Sequence, residues 1–506
     1  MTIYMGEYAM DRISRRAALK GAASASLFLP YACSQVPAKA AKALDWGAMD
    51  GVRTAEVIAS GEATMLEAVE AAIARTEAVN SEINAIASET FEAARAAAQS
   101  TELVGDFAGV PTFIKDLVDW KGAPSFYGSR AFKGYVAQVD GPFAAAWRRA
   151  GIACLGKSTT PEAGLISSTE PLVTGATRNP WDKTRTPGGS SGGAAALTAA
   201  GATPFAHAND GGGSIRIPAA ACGLFGFKPS RGRTPPSRPR ATPPPVDISI
   251  NHAVTWTVRD SAALLRAAEA DNTLRPLGAL AGASDRRLKI AFAPDPVTGA
   301  PLDPETRSVL QRTAELCESL GHDVVEASLD IDGDVFADRF LLYWARSAAG
   351  FADFAAGLRN QAVSDDIVEP WTIGLRNLFI ERQADIGPAI EYLQTFDAQY
   401  QTWFDEFDVL LTPTVAGPPP KIGDQDPTRA FDVLMDSVTA WAAFTSPMNV
   451  AGAPSMSVPL GQTADGLPVA SMFSARRGED ALLMALAYEL EEAAPWINRR
   501  PPISAV

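Results

Sequence analysis

Apolar positions recur at helical spacing through much of the chain, separated by short unbroken apolar runs. Leu66, Val69 and Ile73, with alanines between them, give a helical stripe to about Val79. Thr64 and Glu67 frame its start as a capping box. Phe91 to Gln99 predicts a second, alanine-rich helix. Val110 to Ile114 predicts a buried strand that ends at Lys115, and Ile152 to Leu155 predicts another. Further on, helices are expected over Ser261–Ala270, Thr306–Leu320 and Asp480–Glu492, with a mostly helical, aromatic-rich stretch over 335–405. Strands are expected at Arg287–Phe292, Asp323–Val325, Phe407–Pro413, Ser455–Pro459 and Leu467–Met472. The alternation predicts an α/β layered architecture.

Two stretches break the pattern. Between Thr174 and Gly226 the chain is glycine-rich and punctuated by Asn179-Pro180 and Pro187, which predicts loops whose backbone approaches something closely. Residues 228–246 are rich in proline and arginine and predict a long surface connection.

Charge narrows the partners. With 44 basic and 58 acidic side chains the formal net charge is −14, a surface that repels a nucleic-acid backbone. The four cysteines form no C-x-x-C pair, and Cys154 and Cys222 sit in apolar or small-residue runs as expected buried thiols. The three histidines, His207, His252 and His322, show no metal-binding spacing, so neither metal nor cofactor is expected.

At the N-terminus, Ser14-Arg15-Arg16-Ala17-Ala18-Leu19-Lys20 is a twin-arginine pattern followed by a weakly apolar run from Gly21 to Tyr31. Ala38-Lys39-Ala40 offers a small-residue cleavage site, and the match of Leu29–Cys33 to a lipoprotein box is poor. The expectation is a twin-arginine signal over 1–40, a mature domain over 41–506, and a bacterial periplasmic or secreted protein. No segment approaches the ~18 apolar residues of a membrane span.

Three motifs invite a chemical reading. Gly151 to Ser158 fits G-x-x-x-x-G-K-S, but its middle residues are the expected strand, and a strand cannot wrap a phosphate with its amides. Gly188-Gly189-Ser190-Ser191-Gly192 fits the nucleophile elbow, yet no histidine follows in a suitable place: His207 is too close, His252 falls in the irregular segment, and His322 begins a strand. Asp210-Gly211-Gly212-Gly213-Ser214 sets a serine after three glycines, whose amides can turn toward one point. That nest suits an oxyanion hole, or equally a tight turn with a solvated serine.

Read together, Asn179-Pro180-Trp181-Asp182, Thr186-Pro187-Gly188-Gly189-Ser190-Ser191-Gly192-Gly193 and Ser214-Ile215-Arg216-Ile217-Pro218-Ala219 resemble the amidase signature family. Gly109-Val110-Pro111-Thr112-Phe113-Ile114-Lys115-Asp116 resembles its lysine strand. Asn449 to Pro454 and Gly466-Leu467-Pro468-Val469 resemble its late core, so the likeness spans roughly residues 50–495. The resemblance implies the amidase-signature fold: one large domain with a central, mostly parallel or mixed sheet covered by helices on both faces. It implies Ser214 as nucleophile, Ser190 as bridging serine on a cis peptide, and Lys115 as base. The amides of Gly211, Gly212, Gly213 and Ser214 would form the oxyanion hole, supported by Ser191, Asp210 and Arg216.

The chemistry agrees with the residue types. A serine hydroxyl needs an adjacent base, and a lysine can serve if burial keeps it neutral. Taken alone, Lys115 would more simply cap a strand at the surface. The implied reaction is hydrolysis of a small amide, cyclic amides and carbamates included, through an acyl-enzyme. An esterase with the same triad and a non-catalytic binding protein on the same fold are the alternatives. Where the family often has Asp-Thr-Gly-Gly-Ser, this chain has Asp210-Gly211-Gly212-Gly213-Ser214, similar to the branch that includes 6-aminohexanoate cyclic-dimer hydrolase. Leu165–Glu170, Trp441 and Phe444 are expected near the substrate from position. A homodimer is left open.

Overall fold

A computed structural model describes residues 44–100, 102–270, 276–278, 280 and 282–506; the expected export segment and Cys33 lie outside them. The capping box forms as expected. Thr64 Oγ1 accepts from the Glu67 N–H at 3.1 Å, Glu67 Oε2 accepts from the Thr64 N–H at 2.7 Å, and the helix runs Met65–Ile83. It stops at Asn84, which takes the left-handed conformation.

Among the described residues eleven strands run in chain order: β1 (Ile86–Glu89), β2 (Pro111–Lys115), β3 (Ala153–Ser158), β4 (Phe205–Asp210), β5 (Phe225–Lys228), β6 (Ile250–Thr255), β7 (Lys289–Phe292), β8 (Asp323–Glu326), β9 (Val409–Pro413), β10 (Ser455–Gln462) and β11 (Pro468–Ala475). β1-β3-β2 make a small sheet, and the other eight form one sheet in the order β4-β6-β5-β10-β11-β9-β7-β8. The large sheet is mixed. Pairing is antiparallel from β4 through to β9, and only β9-β7 and β7-β8 are parallel, so the parallel character is confined to one edge.

Alternate side chains of each strand feed opposite layers. Val409, Leu411, Phe473, Met456 and Phe227 pack under the helices Val258–Ala267, Pro304–Ser319 and Asp480–Ala493. Leu410, Ala291 and Met472 point the other way, toward the helices Gly333–Arg359 and Ile386–Trp403. Helices therefore cover both faces, and Asp45–Val506 forms one compact α/β unit.

The glycine-rich stretch departs from the expected loops. It contains the helices Gly192–Ala199 and Arg216–Cys222 and the strands β4 and β5. Both helices are buried on every side, so neither shows the apolar stripe that would mark it in sequence. His252, expected in irregular chain, lies inside β6, where its Nε2 is 2.8 Å from Ser261 Oγ. The proline-arginine stretch has no regular element, but its start is interior. Ser230 donates from N–H and Oγ to Asp480 at 2.8 and 2.6 Å, and Arg233 pairs with Asp480 at 3.1 Å. Cys154, Cys222 and Cys317 are buried free thiols. Gly151–Ser158 forms no phosphate loop: Lys157 is fully buried in β3 and donates to Val118 O and Ser125 Oγ. Among the described residues no helix is long and apolar enough to cross a membrane.

Gly226 sets how closely the helix Arg216–Cys222 lies on the sheet. A Cβ there would fall 2.5 Å from Ala219 Cβ and 3.1 Å from Ile215 O. Gly226→Ala is therefore expected to push that helix outward and to cost about 1–3 kcal/mol, read from the urea midpoint.

Candidate active site

The two sheets meet where β2 runs beside β4. Thr112 Oγ1 donates to Phe205 O at 2.6 Å, and the Lys115 N–H donates to His207 Nδ1 at 3.2 Å. This register brings Lys115, at the end of β2, against Asn209 near the end of β4. The Lys115 side chain is fully buried. Its Nζ donates to Asn209 Oδ1 at 2.6 Å and lies 2.7 Å from Ser190 Oγ. Burial pushes its ammonium well below the ordinary lysine range, and the Asp210 carboxylate opposes this only in part. Burial likewise pushes the His207 imidazole well below its ordinary range. His207 thus acts as a prop between β2 and Asn251, whose Oδ1 is 3.3 Å from Nε2.

Ser190 and Ser191 occupy the turn before the helix Gly192–Ala199, and the Gly189–Ser190 peptide is cis. Ser191 Oγ donates to Asn209 O at 3.3 Å, tying that turn to β4.

Asp210 ends β4, and the chain turns through the three glycines to Ser214 and the helix Arg216–Cys222. The Asp210–Arg216 pair underlies this turn with no solvent exposure on either side chain. Arg216 Nε donates to Asp210 Oδ2 and Nη2 to Oδ1, both at 3.0 Å, a bidentate arrangement. Asn449 Nδ2 adds a bond to Oδ1 at 2.8 Å, and Arg216 Nη2 returns one to Asn449 Oδ1 at 2.6 Å. Burial alone would raise the Asp210 carboxyl, but the Arg216 charge and these bonds outweigh it and hold it far below the usual carboxylate range.

The same carboxylate corrects the expected oxyanion set. Asp210 Oδ1 accepts the Gly213 N–H at 2.8 Å and Oδ2 accepts the Ile215 N–H at 3.2 Å. The Gly213 amide thus faces Asp210 instead of the site. The amides of Gly211, Gly212 and Ser214 donate to no protein acceptor among the described residues. Gly213 has φ 135°, and a Cβ there would lie 2.4 Å from Thr445 Oγ1, so only glycine fits. Thr445 Oγ1 in turn donates to Gly212 O at 2.5 Å, which fixes the orientation of that peptide.

Ser214 borders two cavities. One, of about 140 Å³, is walled by aromatic and aliphatic side chains of the helices Gly333–Arg359 and Phe431–Trp441. The other, of about 250 Å³, holds Ser190, Asn209, Arg240 and Asp247. Of the residues expected near substrate from position, Leu165, Ile166 and Ser167 line the first cavity. Trp441 and Phe444 are instead core residues. Sequence reasoning assigned no role to Asn209, Thr445 or Asn449. Asn209 adjoins the Asp210 motif and Asn449 opens a motif already noted, but polar residues in apolar context carry no mark of which partner they meet.

Comparison with known proteins now bears on this geometry. The Amidase family model matches residues 67–484. The chain belongs to the amidase signature family. It is 42% identical over 462 residues to the putative amidase AmiC of Mycobacterium tuberculosis, spanning 90% of this chain and 97% of that protein. It is 35% identical to the 6-aminohexanoate-cyclic-dimer hydrolase of a Pseudomonas species, over 90% of this chain and 96% of that one. A solved structure of 6-aminohexanoate cyclic dimer hydrolase complexed with substrate superposes with a TM-score of 0.82 at 32% identity, covering 91% of this chain and all of that one (100%). The protein is accordingly a hydrolase of carbon–nitrogen bonds in amides.

The buried ion pair gives this amidase a specific weakness. Asp210→Asn leaves the Arg216 guanidinium buried without its counter-charge, and a loss of about 3–5 kcal/mol is expected in urea unfolding at neutral pH. In the wild type the folded Asp210 carboxyl titrates below its unfolded value of 3.8. Its contribution is therefore complete above that value and is lost only as the pH falls through the lower folded pKa.

Proposed function

We propose that Ser214 attacks the amide carbonyl, with Ser190 passing its proton to Lys115. One observation carries this reading: a fully buried lysine amine, disfavoured as an ammonium, sits 2.7 Å from a serine hydroxyl beside the Ser214 loop. With one N–H given to Asn209, the neutral amine has its lone pair free for the Ser190 hydroxyl. As Ser214 Oγ bonds to carbon, its proton moves to Ser190 and the Ser190 proton moves to Lys115. The amides of Gly211, Gly212 and Ser214 are the free donors for the oxyanion. Collapse breaks the C–N bond, and the relay run backwards protonates the leaving nitrogen. Water then attacks the Ser214 ester by the same relay, which frees the acid and restores the Ser214 hydroxyl. The substrate is a small amide. The kinship with 6-aminohexanoate-cyclic-dimer hydrolase brings cyclic amides into range, and carbamates and esters belong in the same panel.

We also propose that the enzyme works outside the cytoplasm, residues 1–40 serving as twin-arginine signal and 41–506 as the amidase domain. The Ser14–Lys20 pattern supports this. Replacing Arg15 and Arg16 together by lysine is expected to retain activity in the cytosolic fraction. Activity still found in the periplasm would exclude the route.

Ser214→Ala is expected to abolish amide hydrolysis. Lys115→Ala should lower kcat/KM for amides by about 10²–10⁴-fold, and less for esters, whose leaving group needs no proton at nitrogen. Because Lys115 must be neutral, kcat/KM should fall as the pH drops through its lowered pKa and level off above it. A flat profile across the stable range, or amide turnover by pure Ser214→Ala protein, would remove the lysine–serine relay.

A further inference from the structure

Of the two cavities that meet at Ser214, one is mostly apolar and the other, the more polar, sets Ser190, Asn209, Arg240 and Asp247 among apolar neighbours such as Val246 and Ile248, and their contacts with the relay differ. Both share Gly164, Leu165, Ser214 and Trp344. Ser190 and Asn209, the partners of Lys115, line the polar cavity and not the apolar one. Leu165 and Trp344, which line both cavities, are hydrogen-bonded to each other. The indole N–H groups of Trp344 and Trp371 both donate to Leu165 O at 3.1 Å. The Trp344 ring lies over the Gly211 backbone, where a Cβ would meet it in van der Waals contact at 3.4 Å.

We infer that the apolar cavity receives the acyl group of the substrate and the polar cavity its leaving amine, so that this enzyme favours amides of a compact uncharged acyl group of about the bulk of a benzene ring. The inference rests on the relay proposed above. In that cycle the leaving nitrogen must take its proton from Ser190, which places the amine on the Ser190 side. With the oxyanion turned to the glycine amides and Ser214 Oγ as the fourth substituent, the acyl carbon chain has only the other cavity to enter. That cavity is about 140 Å³, walled by Trp344, Trp371, Phe340, Met435 and Val438. A closed apolar cavity of roughly 150 Å³ holds a benzene ring, and this one, open on one side, offers space for a group of that bulk beside Ser214. A carboxylate there would meet hydroxyls such as those of Thr439 and Ser446 but no charged lining residue to offset its desolvation. The polar cavity offers what a leaving amine with hydrogen-bonding groups needs. Arg240 Nη1 and Asp247 Oδ2 pair at 2.8 Å in its wall, each about one-third exposed.

The test uses two substrate series on the wild-type protein, Val438→Trp and Arg240→Ala. One series keeps p-nitroaniline as leaving amine and varies the acyl group through acetyl, butyryl, benzoyl, decanoyl and glutaryl. The other keeps benzoyl and varies the amine between plain and hydroxyl- or carboxylate-bearing forms. Wild type is expected to peak at benzoyl, with glutaryl at least tenfold lower in kcat/KM. Val438→Trp should lower the benzoyl-to-acetyl ratio at least tenfold and leave the order of amines as it was. Arg240→Ala should reorder the amines and keep the order of acyl groups. The reverse pattern, or a wild-type preference for glutaryl or decanoyl, overturns the inference and leaves the relay standing. No hydrolysis of any amide in either series brings down the relay and this inference with it. The wild-type acyl series needs no substitution, so a variant that fails to fold does not shield the proposal.

Discussion

A buried carboxylate holds this site together. Asp210 closes β4, anchors the amides of Gly213 and Ile215, and pairs bidentately with Arg216 in the helix that follows. Asn449 joins the pair from a distant part of the chain and also donates to Ile248 O at 3.0 Å. One anion thus fixes the end of a strand, the loop carrying Ser214, the start of a helix and the segment before β10. Its desolvation is offset because both oxygens meet donors, two of them N–H groups of the Arg216 guanidinium. A neutral side chain of the same shape could keep some of these bonds, but it would leave the guanidinium unbalanced.

Two buried basic side chains near Asp210 stand in different settings. Arg216 faces its carboxylate directly through two N–H bonds. Lys115 faces an amide oxygen and a hydroxyl, and the Asp210 charge reaches it only through space. An amine in that setting loses more from desolvation than it regains, which suits it to accept a proton. The same strand that ends in Asp210 also presents Asn209 to Lys115, so the Asp210–Arg216 pair and Lys115 are positioned by adjacent residues of β4.

Much of the scaffold was legible in the chain. The capping box at Thr64, the helix Phe91–Gln99, the Lys115 strand and the closing helix stand where periodicity puts them. The interior around the site was not. The helices Gly192–Ala199 and Arg216–Cys222 are apolar on every face and rich in glycine and alanine, so they look like loops to any pattern based on one buried side. The antiparallel run through the middle of the sheet was equally hidden, because a strand buried on both faces shows a plain apolar run whatever its neighbours' direction.

The amino-acid sequence by itself determined the family and the α/β class, and it marked Lys115, Ser190, Ser214 and the glycine run before Ser214 as candidates, because these depend on local residue types in a fixed order. Tertiary structure alone decided that the Gly213 amide belongs to Asp210, that Asn209 and Asn449 are partners of Lys115 and Arg216, and that Ser214 divides an apolar cavity from a polar one. Those outcomes are set by contacts between strands and helices far apart in the chain. A hydrogen bond's partner depends on where packing brings the two groups, and no local pattern of residues encodes that.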